Sequence, residues 1–390
     1  MKMRYRFRFY PVPSQEKKLA NVFGCTRFAY NWALRLRSEA NRNGSSVGFC
    51  KSSSMWTILK KHADFSWLNN VSCVPTQQAI RDLQTAFNNF FRKTSRYPKL
   101  KRKRGKQSAR YTRGAFRWDH QNKTLRVSGI GTLRVRWSRE FISNPSSVTI
   151  IKDCAGRYYV SLCLDEVVEK LPKTHCAIGI DFGISSLATL SNGEKIENPR
   201  FFKNREAKLS RTQRVLSRRV KGSGRWKRQQ LKVARAYAKI TDSQTDYLNK
   251  VTTGLIRRFD TVCVEDLNIS GMVRNRHLSK AIFDSGMGKA INMLEYKAVR
   301  YGKSVVKIDR FFPSSKTCSC CGFKLDKLTL NTRRWVCPKC GSEHDRDKNA
   351  AKNILAVGHT VTARGETVRR TSTLVRGRNS RRSVNPPRKV

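Results

Sequence analysis

Acidic residues are scarce in this chain, and long apolar runs are missing. Its 390 residues contain 27 Asp and Glu against 81 Lys and Arg, which gives a formal net charge of +54. The absence of any run of 18 apolar residues and of a signal-peptide core argues against a membrane-spanning or secreted protein. We therefore expect a cytoplasmic protein with no membrane partner. A charge this large is tolerable only when a polyanion neutralises it, and nucleic acid is the obvious one because phosphate contacts release counterions.

The composition still allows packed cores. Hydrophobic residues make up 38% of the chain, with seven Trp, which is too many for general disorder. The length favours two or three domains. Residues 357–390 are the exception, because they hold nine Lys or Arg, one Glu and no apolar periodicity. This composition predicts a disordered basic tail.

The apolar period changes along the chain. Residues 3–12 alternate as a strand does, residues 13–105 contain helical patterns, and residues 106–170 return to strands and hairpins. A helical bundle inserted into a small β-barrel is the expected arrangement. Beyond residue 174, buried strands alternate with a basic helical hairpin over 203–258 and a helix near 281–301, which predicts an α/β layer with a mixed sheet.

Four of the twelve cysteines have the spacing of a zinc ribbon. Cys318 and Cys321 form one CxxC pair, and Cys337 and Cys340 form a second pair fifteen residues later. Four thiolates complete a tetrahedral Zn²⁺ and leave no open position, so the ion is expected to be structural. The segment is too small to bury a core, and the metal must therefore supply its folding free energy. Cys320 is out of register and is not expected to bind.

Three acidic positions are candidates for catalysis. Asp181 and Glu265 each end a predicted buried strand, where sites form in open α/β sheets. In "DRDKNAAKNIL", Asp345 has the position of a helix N-cap and Asp347 lies in the first turn. Such a set could hold two Mg²⁺ or Mn²⁺ ions about 4 Å apart. Each carboxylate taken singly is equally compatible with a structural role.

At these residues the sequence becomes recognisable. The segments "GIDFGISSLATLSNGEKI", "VEDLNISGMVRNR", "DRFFPSSKTCSCCG" and "HDRDKNAAKNIL" resemble the TnpB (OrfB) proteins of bacterial insertion sequences, the apparent ancestors of type V CRISPR nucleases. The resemblance implies an RNA-guided DNA endonuclease whose catalytic, magnesium-binding residues are Asp181, Glu265 and Asp347, with Asp345 as the alternative for the last place. It further implies a transposon-end guide RNA and double-stranded target DNA cut beside a short flanking motif. No small-molecule substrate is expected, and the location would be the bacterial nucleoid.

The resemblance also implies a division of the chain into domains. It predicts a wedge-like β-barrel at residues 1–12 and 106–170 and a helical recognition bundle at 13–105. A RuvC-like (RNase H-like) α/β nuclease core would occupy 174–313 and 344–356, with an inserted zinc ribbon at 314–343. The barrel and the bundle would read the flanking motif. The sequence does not distinguish among the candidate residues for this role, such as Lys61, Arg81, Arg92 or Arg110.

The basic hairpin is the expected wall for the guide–target heteroduplex, which such enzymes hold by its backbone and shape. The candidate nucleic-acid-binding residues are Arg211, Arg214, Arg218, Arg219, Lys221, Arg225, Lys227 and Arg228. A merely solvated basic face is the alternative.

Two other functions fit parts of the sequence. One is a strand-transfer transposase, although such enzymes usually order their acids Asp, Asp, Glu. The other is a zinc-ribbon RNA-binding regulator of transposition without cleavage activity, which would leave Asp181 and Glu265 unused.

Overall fold

The structure is a computed structural model that describes residues 1–329 and 331–363. Two compact units divide the chain between Glu166 and Val167, and each is described by itself. Within these described ranges, no helix is long and apolar enough to cross a membrane.

The first unit combines a small helical bundle with antiparallel strands. In chain order its elements are β1 (Lys2–Phe9), α1 (Pro13–Arg42), α2 (Phe49–Leu59), α3 (Cys73–Phe91), β2 (Gln107–Thr112), β3 (Phe116–Asp119), β4 (Thr124–Val127), β5 (Gly131–Leu133), β6 (Val135–Arg136), β7 (Ser147–Lys152) and β8 (Tyr158–Asp165).

Strands from both ends of the first unit form one sheet in the order β2-β7-β8-β1-β6. β1 pairs with β8 along its whole length, and its alternate residues from Met3 to Phe9 are buried, as expected for a strand with one face against a core. A second sheet consists of β3, β4 and β5. In these pairings β2 and β6 are edge strands, so closure into the expected barrel stays a prediction.

The bundle of α1, α2 and α3 occupies the chain between β1 and β2, as the periodicity predicts. Its core joins Ala33 of α1, Trp56 of α2 and Leu83 of α3, each no more than 1% exposed. Phe87 of α3 belongs to the same core, so aromatic side chains contribute to the packing of the bundle.

The second unit is an α/β layer. Its elements are β9 (Ala177–Phe182), β10 (Ser186–Leu190), β11 (Lys195–Glu197), α4 (Glu206–Ser217), α5 (Gly224–Arg258), β12 (Thr261–Glu265), α6 (Ile269–Met272), α7 (Arg276–Ser285), α8 (Met287–Tyr301), β13 (Ser304–Ile308), β14 (Arg334–Val336), β15 (Glu343–Asp345) and α9 (Arg346–Ala363).

The main sheet of this unit has the order β11-β10-β9-β12-β13. β9, β12 and β13 are parallel, whereas β10 and β11 are antiparallel to their neighbours, so the sheet is mixed as predicted. On one face, Ile180 and Val264 pack with Leu255 of α5 and Leu294 of α8. On the other face, Cys263 and Ile308 pack with Ile354 of α9.

Helix α9 lies unusually close to the sheet because two glycines allow it. A Cβ on Gly179 of β9 would overlap the carbonyl oxygen of Ala351 and lie 2.9 Å from the Cβ of Leu355. A Cβ on Gly358 would overlap the Sγ of Cys263 in β12. The helix is thus fixed against two neighbouring strands by contacts that no larger residue permits.

Two sequence expectations need correction. The helix expected near 281–301 is two helices, α7 and α8, because Gly286 adopts a φ of +69° between them. The disordered tail expected from residue 357 is wrong for residues 357–363, which continue α9. Val357 and Val361, one turn apart, pack beside Ile308, so an apolar stripe extends the helix. The rest of the predicted tail, residues 364–390, lies outside the described residues.

Candidate active site

Asp181 and Glu265 stand side by side at the carboxyl ends of two parallel strands. β9 pairs with β12 through Ile180 and Val264, so the next step of the register sets Glu265 beside Asp181 on strands about 4.8 Å apart. Side chains alternate between the faces of a strand. Both carboxylates therefore share the face of Gly179 and Cys263, which α9 covers.

Asp347 comes to the same place from α9. It lies in the first turn of the helix, one turn before Ala351, whose carbonyl is in contact with Gly179. Its charge acts on Asp181 strongly enough to raise the pKa of that carboxyl. The structure thus brings Asp181, Glu265 and Asp347 to one edge of the sheet, from three segments separated by about 80 residues each.

The electrostatics of this edge are unbalanced. Burial, then the charges of Glu265 and Asp347, raise the pKa of Asp181 to about 8, and Arg346 opposes the shift without cancelling it. Across residues 1–329 and 331–363, no hydrogen bond to the carboxylate of Asp181 offsets this shift. Carboxylates that repel one another in this way are a site that divalent cations would stabilise, because Mg²⁺ and Mn²⁺ prefer oxygen ligands.

The three carboxylates are more widely spaced than ligands of a single ion. Among the described residues, the His, Cys, Asp and Glu groups whose ligand atoms all lie within 4.8 Å of one another are both in the cysteine segment. The acidic edge is not one of them, so its carboxylate oxygens do not all lie within 4.8 Å of one another.

Glu265 is oriented by a residue that the sequence patterns did not indicate. The hydroxyl of Ser314 donates a hydrogen bond of 2.5 Å to Oε1 of Glu265. The next residue, Asp266, forms an ion pair with Arg310 on the same loop after β13. This loop therefore contacts two consecutive acidic residues at the end of β12, Glu265 and Asp266.

Asp345 and Asp347 have different surroundings. Oδ1 of Asp345 accepts hydrogen bonds of 3.1 Å from the backbone N–H groups of Asp347 and Lys348, and its other oxygen lies 2.9 Å from Nζ of Lys195. Asp345 is thus the N-cap that the sequence predicts. Oδ1 of Asp347 lies 3.8 Å from Nη1 of Arg333, a longer contact than those of Asp345.

The four cysteines converge as the spacing predicts. Cys318 and Cys340 bring their sulfurs to 3.7 Å, Cys321 and Cys337 to 3.6 Å, and all four sulfurs lie within 4.8 Å of one another. A tetrahedral Zn²⁺ with Zn–S bonds of about 2.3 Å requires sulfur separations of about 3.8 Å. The four thiolates therefore fit zinc. The exposed Cys320 is outside this set, although its sulfur lies within 4.8 Å of Cys318 and His344.

His344 is a further contact of the cysteine cluster. Its Nε2 lies 3.0 Å from Sγ of Cys318, and its ring is packed against Trp335 with centroids 4.6 Å apart. Trp335 and His344 face each other across the β14–β15 pair. Since Asp345 follows His344 directly, this small sheet leads from the cysteines to the cap of α9.

Two asparagines of α9 bind the other side of the cysteine segment. Asn349 and Asn353 are 1% and 6% exposed, and both donate to the carbonyl of Thr317, at 2.7 and 2.6 Å. Asn353 also donates to the carbonyl of Ser314 at 2.8 Å. The sequence contains a signal for this contact: two asparagines lie four residues apart on the predicted helix that follows "DRD". Buried amides need hydrogen-bond partners, so this spacing indicates that the helix packs against another segment.

The predicted nucleic-acid-binding residues lie where the sequence indicates, on α4, α5 and the turn between them. All are exposed except Arg219, which is half-buried. Leu209, Val233 and Ile240 form the core between the two helices, so the cationic side chains occupy the outer surface of the hairpin and its tip.

The first unit contains a polar cavity of about 190 Å³ between the bundle and the sheet. Its lining includes Arg4, Lys101 and Arg110, with Asp82 as the counter-charge at 3.1 Å from Arg110. Burial lowers the pKa of Lys101, whose ammonium lies 4.0 Å from the ring centroid of Tyr30. Arg110, one of the four candidate residues for reading the flanking DNA motif, lines this cavity.

A mixed sheet with acids at adjacent strand ends, a third acid on a covering helix and a four-cysteine insertion is the architecture of a RuvC-like nuclease. Solved structures agree on the fold. The chain matches Cas12f1 from its complex with single-guide RNA and target DNA with a TM-score of 0.56 at 13% identity, covering 91% of this chain and 98% of that one. It matches the small RNA-guided endonuclease CRISPR-Cas_phi3 with a TM-score of 0.55 at 9% identity, covering 92% of each.

Sequence comparisons give the family. Residues 161–276 match OrfB_IS605, described as a probable transposase, residues 288–354 match the Cas12f1-like TNB domain, and residues 1–45 match the OrfB_IS605 helix-turn-helix domain. A Streptomyces pristinaespiralis protein provisionally named an RNA-guided DNA endonuclease is 45% identical over 95% of this chain and 92% of its own. InsQ of Escherichia coli K12, with the same provisional name, is 31% identical over 93% and 94%. The chain belongs to the TnpB (OrfB) family.

Proposed function

We propose that this protein is an RNA-guided DNA endonuclease that takes a guide RNA from the transposon end and cuts matched double-stranded DNA. The observation that carries the proposal is the convergence of Asp181, Glu265 and Asp347 at one sheet edge with uncompensated charge, seen in the raised pKa of Asp181. Close relatives bearing the corresponding name support the assignment.

Each of the three carboxylates is positioned by a different part of the structure. Glu265 is oriented by Ser314, Asp181 is fixed by the centre of the sheet, and Asp347 is fixed by α9. Divalent cations held by these oxygens would activate water and stabilise the leaving oxygen of a phosphodiester. Asp345 already caps α9 and pairs with Lys195, which favours Asp347 as the third metal ligand.

Zinc held by the four cysteines would act on the position of Asp347 rather than in the chemistry. The cysteine segment contacts α9 through Asn349 and Asn353, and contacts its cap through His344. Since four thiolates leave zinc no open position, its role is structural.

Nucleic acid would be bound by the cationic surfaces of both units. The exposed hairpin of α4 and α5 offers a row of Arg and Lys for the sugar–phosphate backbone of the heteroduplex. The cavity that contains Arg110 is the proposed contact for the DNA flanking motif, because accessible cations beside polar side chains can read base edges as well as phosphates.

The test uses the protein purified with its copurifying RNA, whose sequence defines the matched DNA. We expect Mg²⁺-dependent cutting by the wild type and at least a hundredfold loss in Asp181→Asn, Glu265→Gln and Asp347→Asn, with RNA binding retained. Asp246→Asn changes an exposed carboxylate on α5 and serves as the matched control. Equal cutting by the three variants would defeat the nuclease assignment, and joined rather than free DNA ends would indicate strand transfer.

A further inference from the structure

An exposed phenylalanine lies beside the candidate active site. Phe311 is 86% exposed, whereas its neighbour Phe312 packs into the core with Ile308 and Ile354. Single exposed apolar residues are common on protein surfaces, so exposure alone means little. The position of this one, and the way its backbone is held, distinguish it.

The turn that carries Phe311 is fixed at its beginning. The backbone N–H of Phe311 donates a hydrogen bond of 2.7 Å to Oδ1 of Asp309, and that of Phe312 donates one of 3.2 Å to the carbonyl of Asp309. Arg310 forms an ion pair with Asp266 at the end of β12. The ring of Phe311 is therefore presented to solvent by an ordered turn.

The same turn is fixed to the active site at its end. Ser314 donates to Glu265, and its carbonyl accepts from Asn353 of α9. Phe311 and Ser314 are three positions apart in the chain, so their Cα atoms are at most about 11 Å apart. The phenyl ring therefore belongs to the turn that contacts Glu265, within a few nucleotides of a phosphodiester bound there.

We propose that Phe311 stacks on a base of the DNA strand being cut and so holds the scissile phosphodiester against the carboxylates. The inference rests on the proposed function. An enzyme that receives its sequence specificity from a guide must accept every base beside the cut, and every base has a π-face on which an aromatic ring can stack.

The charges around the turn favour a base over the backbone as the partner of this ring. Glu265, Asp266 and Asp309 surround the turn, and Arg310, the adjacent cation, is occupied by Asp266. A phosphate would be repelled there wherever no metal ion screens it. A neutral base stacked on Phe311 leaves its own phosphate free to reach the metal-binding edge.

The first measurement detects stacking without cleavage. Full-length protein is mixed with single-stranded DNA containing 5-iododeoxyuridine, in Ca²⁺ to prevent cutting, and irradiated. We expect a cross-link in the tryptic peptide 311–316, retained in Phe311→Trp and lost in Phe311→Leu and Phe311→Ala. Phe283→Ala, which removes a 66% exposed ring from α7 of the same unit, leaves the cross-link unchanged.

The second measurement is the single-turnover cutting rate of the guide RNA complex on matched DNA. Stacking of one base predicts a roughly tenfold to hundredfold slower rate in Phe311→Ala and Phe311→Leu, with target binding unchanged and Phe311→Trp close to the wild type. A wild-type rate in Phe311→Leu would point to an apolar protein contact instead and overturn the proposal. So would an intact cross-link in Phe311→Ala. If the wild type fails to cut but cross-links at 311–316, the proposed function falls and the stacking site stands.

Discussion

The charge imbalance at the sheet edge predicts that removing one carboxylate stabilises the Mg²⁺-free protein. Asp181 is the carboxylate to change, and Asn keeps its shape. The pKa of Asp181 is raised from 3.8 to about 8, so the folded protein holds a proton that the unfolded chain has already released over this range. Stability of the wild type therefore falls as pH rises from about 4 to about 8, and the loss is complete above the folded pKa.

The size of the effect follows from the same pKa. Each pKa unit corresponds to 1.36 kcal/mol, which sets an upper bound of about 6 kcal/mol for the penalty of ionised Asp181 above pH 8. Because the side chain is only partly buried, water and local relaxation screen much of this, and we expect about 2–3 kcal/mol. For a unit of this size that corresponds to a rise in Tm of about 4–12 °C in Asp181→Asn at pH 8.5.

Thermal unfolding between pH 5 and 8.5, with zinc retained and Mg²⁺ omitted, measures this difference. The Tm gap between Asp181→Asn and the wild type should be small at pH 5 and widen towards pH 8.5. Added Mg²⁺ should narrow it by stabilising the wild type. Asp246→Asn, at an exposed ion pair, should give no pH-dependent gap. Two results would refute the interpretation of this edge as mutually repelling carboxylates. One is a Tm difference between Asp181→Asn and the wild type that stays constant with pH, and the other is a lower Tm in Asp181→Asn.

Two further predictions concern the packing of α9 and the cysteine cluster. Gly179→Ala should destabilise the protein by at least about 3 kcal/mol in chemical denaturation, because the new methyl group meets backbone, whereas Gly254→Ala in α5, with open space around it, should be neutral or stabilising by up to about 1 kcal/mol. Equal stabilities would contradict the close approach of α9. Cys321→Ser should lose bound zinc in metal analysis while Cys320→Ser keeps it, and zinc loss from both would mean a ligand set different from the four converging thiolates.

Much of the candidate site could be predicted because each part has a local signature. Asp181 and Glu265 each follow a short buried apolar run, and the CxxC pairs repeat at the spacing of a ribbon. The preference of Asp for the N-cap predicts the role of Asp345 from its place before a helical pattern. These features depend on residues near one another in the chain.

The supporting residues could not be found in this way. Ser314 binds Glu265 across 49 residues, and Asn353 reaches the carbonyl of Ser314 across 39. Such pairs form because a loop packs against the end of a strand that is distant in the chain. The local sequence pattern contains no information on that packing. The extension of α9 beyond residue 356 was missed for a similar reason, because Val357 and Val361 are separated by Gly, His and Thr, and the strand on which they pack is distant in the chain.

The two glycine contacts that fix α9 also limit how this region can change in length. Adding one residue between Asp347 and Ala351 would turn the carboxylate by about 100° around the helix axis while the rest of α9 stayed seated on the sheet. Additions in the ribbon between its two CxxC pairs would leave that angle untouched. Insertions should therefore be tolerated between the two CxxC pairs and should abolish cutting between Asp347 and Ala351.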